Sequence, residues 1–494
     1  MADYAKLQNG SDVRGIALGE EKNLTDAAVR DIACAFAQFV SAKTNTPLTQ
    51  LRIGIGRDSR ISGEHIMAQM MQALQQMGVW VYDCGMASTP AMYMATITPG
   101  YEYDGAMMVT ASHLPPDRNG IKFFTASGGT DKADVSVILQ QAAQGVFAAS
   151  AQMRPITQVD FIAVYAEQLC DIIRKAVHAK DYDKPLSPFH IVVDAGNGAG
   201  GFYVDNVLVP LGATTTGSQF LQPDGNFPNH VPNPEDPAAM EAICHAVLQH
   251  QADLGIIFDT DVDRAAVVDA SGKDISRNRL IALMSAIVLS QSPSSTIVTD
   301  SVTSTGLAQF IAQLGGKHHR FQRGYKNVID EAIRLNKAGE VCEIAIETSG
   351  HGALKENHFL DDGAYLVTKI LITMAQLHNE GRQIGALIAS LKEPAESMEF
   401  RMNIAAEDFS AYGQQVLRGL EDYAKQQNWE IAPDNYEGLR VNFPRYDGDG
   451  WFLLRMSLHD PLMPLNIESD TAGGCKVIGR YLLEYFGSCA ALDS

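Results

Sequence analysis

A short apolar run that stops on glycine, aspartate or serine recurs along this chain, and it constrains the fold more than any other feature. It appears in RIGIGRDSR (52–60), GAMMVTASH (105–113), HIVVDAGNGAGG (190–201), LGIIFDTDVDR (254–264), STIVTDSV (295–302) and CEIAIETSGHG (342–352). Helical patterns lie between these runs. Met240, Ile243, Cys244, Val247 and Leu248 fall at i, i+3, i+4, i+7 and i+8, and Met67, Met70, Met71 and Leu74 at i, i+3, i+4 and i+7, each set one helical face turned to a core. Strand–helix alternation predicts α/β layers with mainly parallel sheets. In such sheets ligands collect beyond the carboxyl ends of the strands, where every polar cluster above is found. The pattern repeats about three times, which predicts three related mixed or parallel-sheet α/β domains, 1–152, 153–268 and 269–388. After Asn379 the texture changes. Residues 379–397 read as a linker, and a helix pattern then precedes short runs at Leu439–Phe443, Trp451–Arg455 and Leu465–Ile467, predicting a smaller α+β domain over 389–494.

A length of 494 residues exceeds one core and agrees with three or four domains. The net charge of −20 opposes binding of nucleic acid, which is held mainly by Lys and Arg on phosphates, so an anionic substrate needs a local positive pocket. Seven dispersed cysteines without a C-x-x-C pair favour neither a disulfide framework nor a zinc site. The start MADYAKLQNGSDVRG has neither an apolar signal core nor the Arg-rich character of a transit peptide. Leu280–Leu289 is about half the ~20 residues that span a bilayer and reads as a buried helix. A cytoplasmic location without a membrane partner is expected.

Chemistry concentrates in two stretches. In DTDVDR, Asp259, Asp261 and Asp263 alternate after a strand and can converge on a hard cation such as Mg²⁺ or Ca²⁺. A bare D-x-D-x-D run reads equally as a solvated turn, but the LGIIF before it puts this loop at a sheet's carboxyl edge, and the EF-hand pattern of Gly and Glu is not met. In VTASHLPPDRNGIKFF (109–124) a strand ends on Ser112-His113 with no G-x-S-x-G elbow, so acyl transfer is not indicated. Taken alone, Ser112 reads as a cap or turn residue and Lys122 as a surface lysine. The functional reading is a phosphorylatable serine whose phosphate completes the coordination of the aspartate-held metal, because phosphoryl transfer needs positioning and charge neutralisation above all. His318-His319 reads as a solvated pair. Gly196, Gly198, Gly200 and Gly201 read as turn glycines, since they miss the dinucleotide fingerprint.

The motifs together resemble the α-D-phosphohexomutase superfamily, whose members move phosphate between C1 and C6 of a hexose through a phosphoserine. In family order the chain carries DVRG (12–15), GRDSR (56–60), TASH with NGIK (110–113, 119–122), DAGNGAGG (194–201), PDGNFPNHVPNPE (223–235), DTDVDR (259–264), RGYK (323–326), ETSGHG (347–352) with DDG (361–363), and RMS (455–457). The resemblance implies four domains around a central cleft. It makes Ser112 the phosphoserine and Asp259, Asp261 and Asp263 its Mg²⁺ partners. It sets Arg14, Lys122 and His113 beside the transferred phosphate, with His351 as a further catalytic residue. It gives substrate contacts to Glu347, Ser349, Gly324, Lys326 and Arg264, and makes Arg455 and Ser457 the start of a phosphate loop. It further implies a hexose 1,6-bisphosphate activator, mannose or glucose phosphates as substrates, and a monomer or homodimer.

Three departures stand out. Leu114 replaces an Asn after the serine–histidine pair, where it shapes the loop. Thr260 replaces a glycine in the metal loop, acceptable if no positive φ is required there. Leu458-His459-Asp460 replaces Asn-Thr-Glu in the last loop, so that His459 either supplies the missing phosphate donor or packs against Pro461. Thr348 stands between Glu347 and Ser349, where amino-sugar mutases carry Gln. The rival readings are a glucosamine phosphate mutase, a non-catalytic sugar-bisphosphate binder and a DxDxD phosphatase.

Overall fold

Each of the six short apolar runs that end on glycine, aspartate or serine holds a strand, and burial explains why these runs are continuous rather than alternating. All five residues of Gly105–Val109, of Leu254–Phe258 and of Thr296–Asp300 are buried, as expected where a parallel sheet is covered on both faces. The computed structural model describes residues 3–433, 435–444, 447–457 and 460–493. It divides into two units, one running to Ser276 and including Ser349–Ala386, the other comprising Arg277–Thr348 and Leu387 onward.

In the first unit Arg52–Arg57 pairs in parallel with Trp80–Met86 and with Gly105–Val109. Gly105–Val109 runs antiparallel to Arg118–Thr125, which in turn pairs with Asp12–Ile16. One core of this sheet gathers Phe36, Ile53, Met70, Leu74 and Phe123. Met67 and Met70 of helix Gly63–Gln76 are buried, and Met71 packs at the edge, as the spacing predicts. A second sheet sets Ile191–Asp194 parallel to Leu254–Phe258, with Ala265–Asp269 antiparallel beyond it. Helix Pro237–His250 covers it. Asp236 caps the Ala238 and Ala239 amides, proline occupies the first turn, and the helix ends on left-handed Gln251. Its buried face is Ala239, Ile243, Ala246 and Val247, whereas Leu248, predicted on that face, is 56% exposed because the stripe centres one position earlier.

In the second unit Thr296–Asp300 pairs in parallel with Lys317–Phe321 and Cys342–Ile346, and the apolar run 280–289 is buried within helix Arg277–Gln291. The remainder is an antiparallel sheet in which Leu462–Ser469 lies between Glu396–Ile404 and Gly450–Leu454, with Leu439–Phe443 next. Helices Phe409–Gln426 and Gly474–Phe486 share a core with Val441, Phe452 and Leu454. Trp451 and Leu453 face the other way and cluster with Val302, so the run WFLL is apolar on both faces. The predicted linker gives way to strand at Glu396. Among the described residues no helix is long and apolar enough to cross a membrane, and all seven cysteines are free.

His318 and His319 are not a solvated pair. On opposite faces of their strand, His318 Nε2 bonds the Thr299 hydroxyl at 2.8 Å and His319 Nε2 bonds Glu331 at 2.8 Å.

Candidate active site

Ser112 lies three residues beyond the end of strand Gly105–Val109, in left-handed backbone with φ of 50°. Its amide is held by Thr110 Oγ1 at 2.9 Å, and its hydroxyl donates to Asp259 Oδ2 at 3.0 Å. Arg264, almost fully buried, donates from Nη2 to Ser112 Oγ at 2.8 Å, to His113 Nδ1 at 2.8 Å and to Asp259 at 2.9 Å. A guanidinium can only donate, so Nδ1 of His113 accepts and Nε2 carries the proton. Desolvation, and then the charges of Arg264 and Arg14, hold the His113 pKa below the usual histidine range even though part of the residue is exposed, which keeps the ring neutral. Arg14 bonds Asp12 at 2.8 Å and reaches the Thr110 carbonyl at 3.4 Å. A Cβ at Gly120 would stand 2.8 Å from both the Arg14 Cδ and that carbonyl, so glycine is required for the two strands to close here.

Asp259, Asp261 and Asp263 are buried, and one carboxylate oxygen from each lies within 4.8 Å of the others. Lys122 bonds Asp263 and stands 3.2 Å from Asp261, so it is a buried ion-pair partner and not a surface lysine. Burial and Asp263 push Asp259 well above the usual carboxylate range. For Asp263, burial acts upward, but Lys122, His351 and Arg264 outweigh it and hold the group low. Among the described residues Asp261 Oδ1 and Asp263 Oδ1 have no hydrogen-bond partner. Buried oxygens left in this way fit a hard cation that takes oxygen ligands. Thr260 has no positive φ, so the loss of glycine there is tolerated; the left-handed residue of the loop is the buried Val262, φ 66°.

The glycines near this loop do more than turn. A Cβ at Gly198 would meet the Thr260 backbone at 2.7 Å, and one at Gly363 the Arg264 backbone at 2.6 Å. Only Gly196 of the four predicted turn glycines has positive φ; the others allow close backbone or side-chain approach. His351 Nδ1 bonds Ser349 Oγ at 2.8 Å, and its Nε2 lies 3.7 Å from Asp263. Several residues here were not singled out by the sequence. Asn233 accepts from Arg264 Nη1 at 3.1 Å, Thr89 donates to Asp261 at 2.5 Å, and Tyr165 donates to Asp362 at 2.6 Å. Asn233 and Asp362 fall inside quoted motifs, whereas Thr89 carries no local signal.

In the second unit Glu347, 3% exposed, follows the strand Cys342–Ile346 and accepts from the Gly324 amide at 2.7 Å. Thr348 is pinned by its hydroxyl to Asp300 at 2.6 Å. Burial, reinforced by Glu347, pushes Asp300 up to about 7. Arg455 is 7% exposed and lies 3.7 Å from Glu437, which also accepts from Ser301 at 2.5 Å and from the Arg323 amide at 3.1 Å. Ser457 Oγ accepts from the Asp460 amide at 3.2 Å. Lys326 pairs with Asp330 one helical turn on, at 2.7 Å. Leu458 and His459 lie outside the described residues.

A cavity of about 440 Å³ in this unit, bordered by Arg320, Arg440, Trp451 and Glu468, includes none of the residues assigned from the motifs. Burial pushes Glu468 from its ordinary 4.5 up to about 7 against the pull of Arg440. The folded state therefore binds a proton that the unfolded chain releases, and the resulting cost is absent below about pH 4.5 and complete above about pH 7. Glu468→Gln should leave denaturant stability unchanged near pH 4.5 and raise it at pH 8 by up to about 3 kcal/mol; an equal effect at both pH values would refute this assignment.

Residues 5–165, 164–272 and 276–394 match alpha/beta/alpha domains I, II and III of phosphoglucomutase/phosphomannomutase. The chain belongs to this family. The superfamily read from the motifs is thereby borne out, as is the fold class of three α/β domains with a smaller fourth domain built on an antiparallel sheet. The phosphoglucomutase of Neisseria gonorrhoeae is 31% identical over 464 residues, covering 93% of this chain and 92% of that protein. The phosphomannomutase/phosphoglucomutase of Pseudomonas aeruginosa is 29% identical over 420 residues, covering 85% and 84%. The crystal structure of a phosphoglucomutase/phosphomannomutase family protein from Burkholderia thailandensis superposes with a TM-score of 0.80 at 26% identity, covering 100% of both chains.

Proposed function

We propose that this enzyme interconverts hexose 1-phosphate and hexose 6-phosphate, of mannose or glucose, through phospho-Ser112 and a hexose 1,6-bisphosphate that also serves as activator. The observation that carries this reading is the Ser112 hydroxyl fixed between Asp259 and Arg264, with Lys122 on the neighbouring aspartates. In the first transfer the bond from phosphorus to Ser112 Oγ breaks as one to the free sugar hydroxyl forms. The proton of that hydroxyl ends on Ser112 Oγ; after the bisphosphate turns end for end, the other phosphate passes to Ser112 Oγ and the serine proton goes to the sugar oxygen it leaves. Arg264 and Lys122 place positive charge on the transferring group, Arg14 adds to it, and neutral His113 orients Arg264 by accepting from it. Asp259, Asp261 and Asp263, with the Ser112 phosphate, would hold Mg²⁺, which supplies charge neutralisation. His351 orients Ser349. Glu347 and Ser349 take the sugar hydroxyls, the Gly324 amide fixes the Glu347 carboxylate, and Arg455 and Ser457 take the non-reacting phosphate.

The domain limits 1–152, 153–268, 269–388 and 389–494, a cytoplasmic location and a monomeric or homodimeric state belong to the same reading. A coupled assay on glucose 1-phosphate, mannose 1-phosphate and glucosamine 1-phosphate, primed with a bisphosphate, tests it. No turnover with any of the three would refute it, and release of free phosphate would indicate a phosphatase instead. Arg455→Lys should raise KM by about tenfold or more, since an ammonium cannot reproduce the two parallel bonds of a guanidinium to phosphate. If His459 supplies the missing donor, His459→Ala should raise KM as well and flatten its pH dependence around ~6.5. A parental KM and pH profile in that variant would leave His459 a packing role.

A further inference from the structure

The loop that carries Ser112 hangs on one buried side chain, Arg60, which is 1% exposed. Its Nη1 donates to the carbonyls of Pro115 at 2.8 Å and Arg118 at 2.9 Å, and its Nη2 to those of Leu114 at 2.5 Å and of Ser112 itself. Pro115 and Pro116 remove two amide donors from this stretch, so it has fewer partners of its own for its carbonyls. The bond to the Ser112 carbonyl is fully buried, and leaving such a group unpaired costs on the order of 1–3 kcal/mol. A planar guanidinium meets several carbonyls at fixed angles, which an ammonium with its three donors on a flexible stem does not.

Arg60 is itself immobilised from behind. The fully buried Asp58 accepts its amide at 2.9 Å and lies 3.5 Å from Nε, and the Phe227 ring stands 5.4 Å from its guanidinium carbon. Gly225 is packed so closely that a Cβ there would come within 2.6 Å of the Ser59 carbonyl.

The consequence falls on Ser112. Serine is uncommon in left-handed backbone, and such a residue stays there only where its surroundings over-determine it. Here Thr110 holds the amide, Asp259 and Arg264 hold the hydroxyl, and Arg60 holds the carbonyl. Releasing the carbonyl would let the backbone relax and swing Oγ away from Asp259 and Arg264. Because phosphoryl transfer depends on positioning, a displacement of about 1 Å costs about 10²-fold in rate.

Resting on the phosphoserine reading of Ser112, we infer that Arg60 is a positioning residue that sets the aim of the Ser112 oxygen by clamping its loop carbonyls. The test compares the parent with Arg60→Lys and Arg60→Ala in steady-state kinetics and in amide hydrogen exchange. In Arg60→Ala, kcat should fall about 10²-fold with KM within about threefold of the parent, and Arg60→Lys should fall between the two. Exchange should rise over 110–119 while helix Asp26–Thr44 keeps its protection. Millimolar guanidinium should restore part of kcat to Arg60→Ala, by refilling the ring of carbonyls, and should not raise that of the parent. A kcat within about threefold of the parent in both variants overturns the proposal, as does a loss carried wholly by KM or an even rise of exchange across the first unit. Full turnover by Ser112→Ala would refute the phosphoserine reading itself, a result obtained with Arg60 intact and so distinguishable from a failure at Arg60.

Discussion

Ser112→Ala should fold normally and turn over at roughly 10⁻⁴ of the parental rate or less, the scale on which loss of a covalent nucleophile is felt. The parent should show by intact mass a fraction carrying one phosphate that is lost on incubation with substrate, and the variant should show none. Alanine at φ 50° is no more strained than serine, the Ser112 amide bond to Thr110 survives, and Arg264 keeps its three bonds to Asp259, two from the guanidinium and one from the backbone amide. The variant loses the two bonds of the Ser112 hydroxyl, to Asp259 and from Arg264, so stability should fall by about 2 kcal/mol, at a usual net worth of about 1 kcal/mol per hydrogen bond. The collapse would then be chemical, and full activity in the variant would remove the covalent route from consideration.

The strands and the metal loop were legible in the sequence because their signals are local. LGIIF is buried at all five positions and ends directly on the aspartates, so one short window contains both the sheet and its chemistry. Glu396–Ile404 was hidden by the opposite condition: most of its residues are exposed, and it carries no continuous apolar run. The supporting polar groups were hidden by distance along the chain. Arg60 meets the Leu114 carbonyl 54 residues away, Asn233 meets Arg264 at a separation of 31, and Thr89 meets Asp261 at 172. Nothing in the local pattern of GRDSR says that its last arginine bonds backbone while the arginine of DTDVDR bonds a serine. Thr260 shows the converse. The loop takes its left-handed residue at Val262, a choice the sequence pattern did not reveal, and Thr260 therefore fits where the family has glycine.

Removal of divalent metal should abolish turnover, Mg²⁺ should restore it, and the same ion should raise the melting temperature of the parent. Three buried carboxylates face one another within 4.8 Å, and Lys122 and Arg264 are committed to them through Asp263, Asp261 and Asp259. Two oxygens, Asp261 Oδ1 and Asp263 Oδ1, still lack hydrogen-bond partners among the described residues. A cation on those oxygens relieves both the repulsion and the missing bonds, so binding should stabilise the folded state, by about 2.7 kcal/mol at a hundredfold excess over Kd. Asp261→Ala would also strand the Thr89 hydroxyl, which now donates to Asp261 at 2.5 Å. Asp261→Asn retains an oxygen for Thr89 while removing the charge, and so separates folding from chemistry. Both variants should lose the Mg²⁺-dependent rise in melting temperature and about 10²–10³-fold in kcat, the scale of one preorganised electrostatic contact. A melting shift that survives in Asp261→Asn would move the cation elsewhere, and turnover indifferent to chelator would leave the three aspartates a structural role, with Lys122 as their counterion.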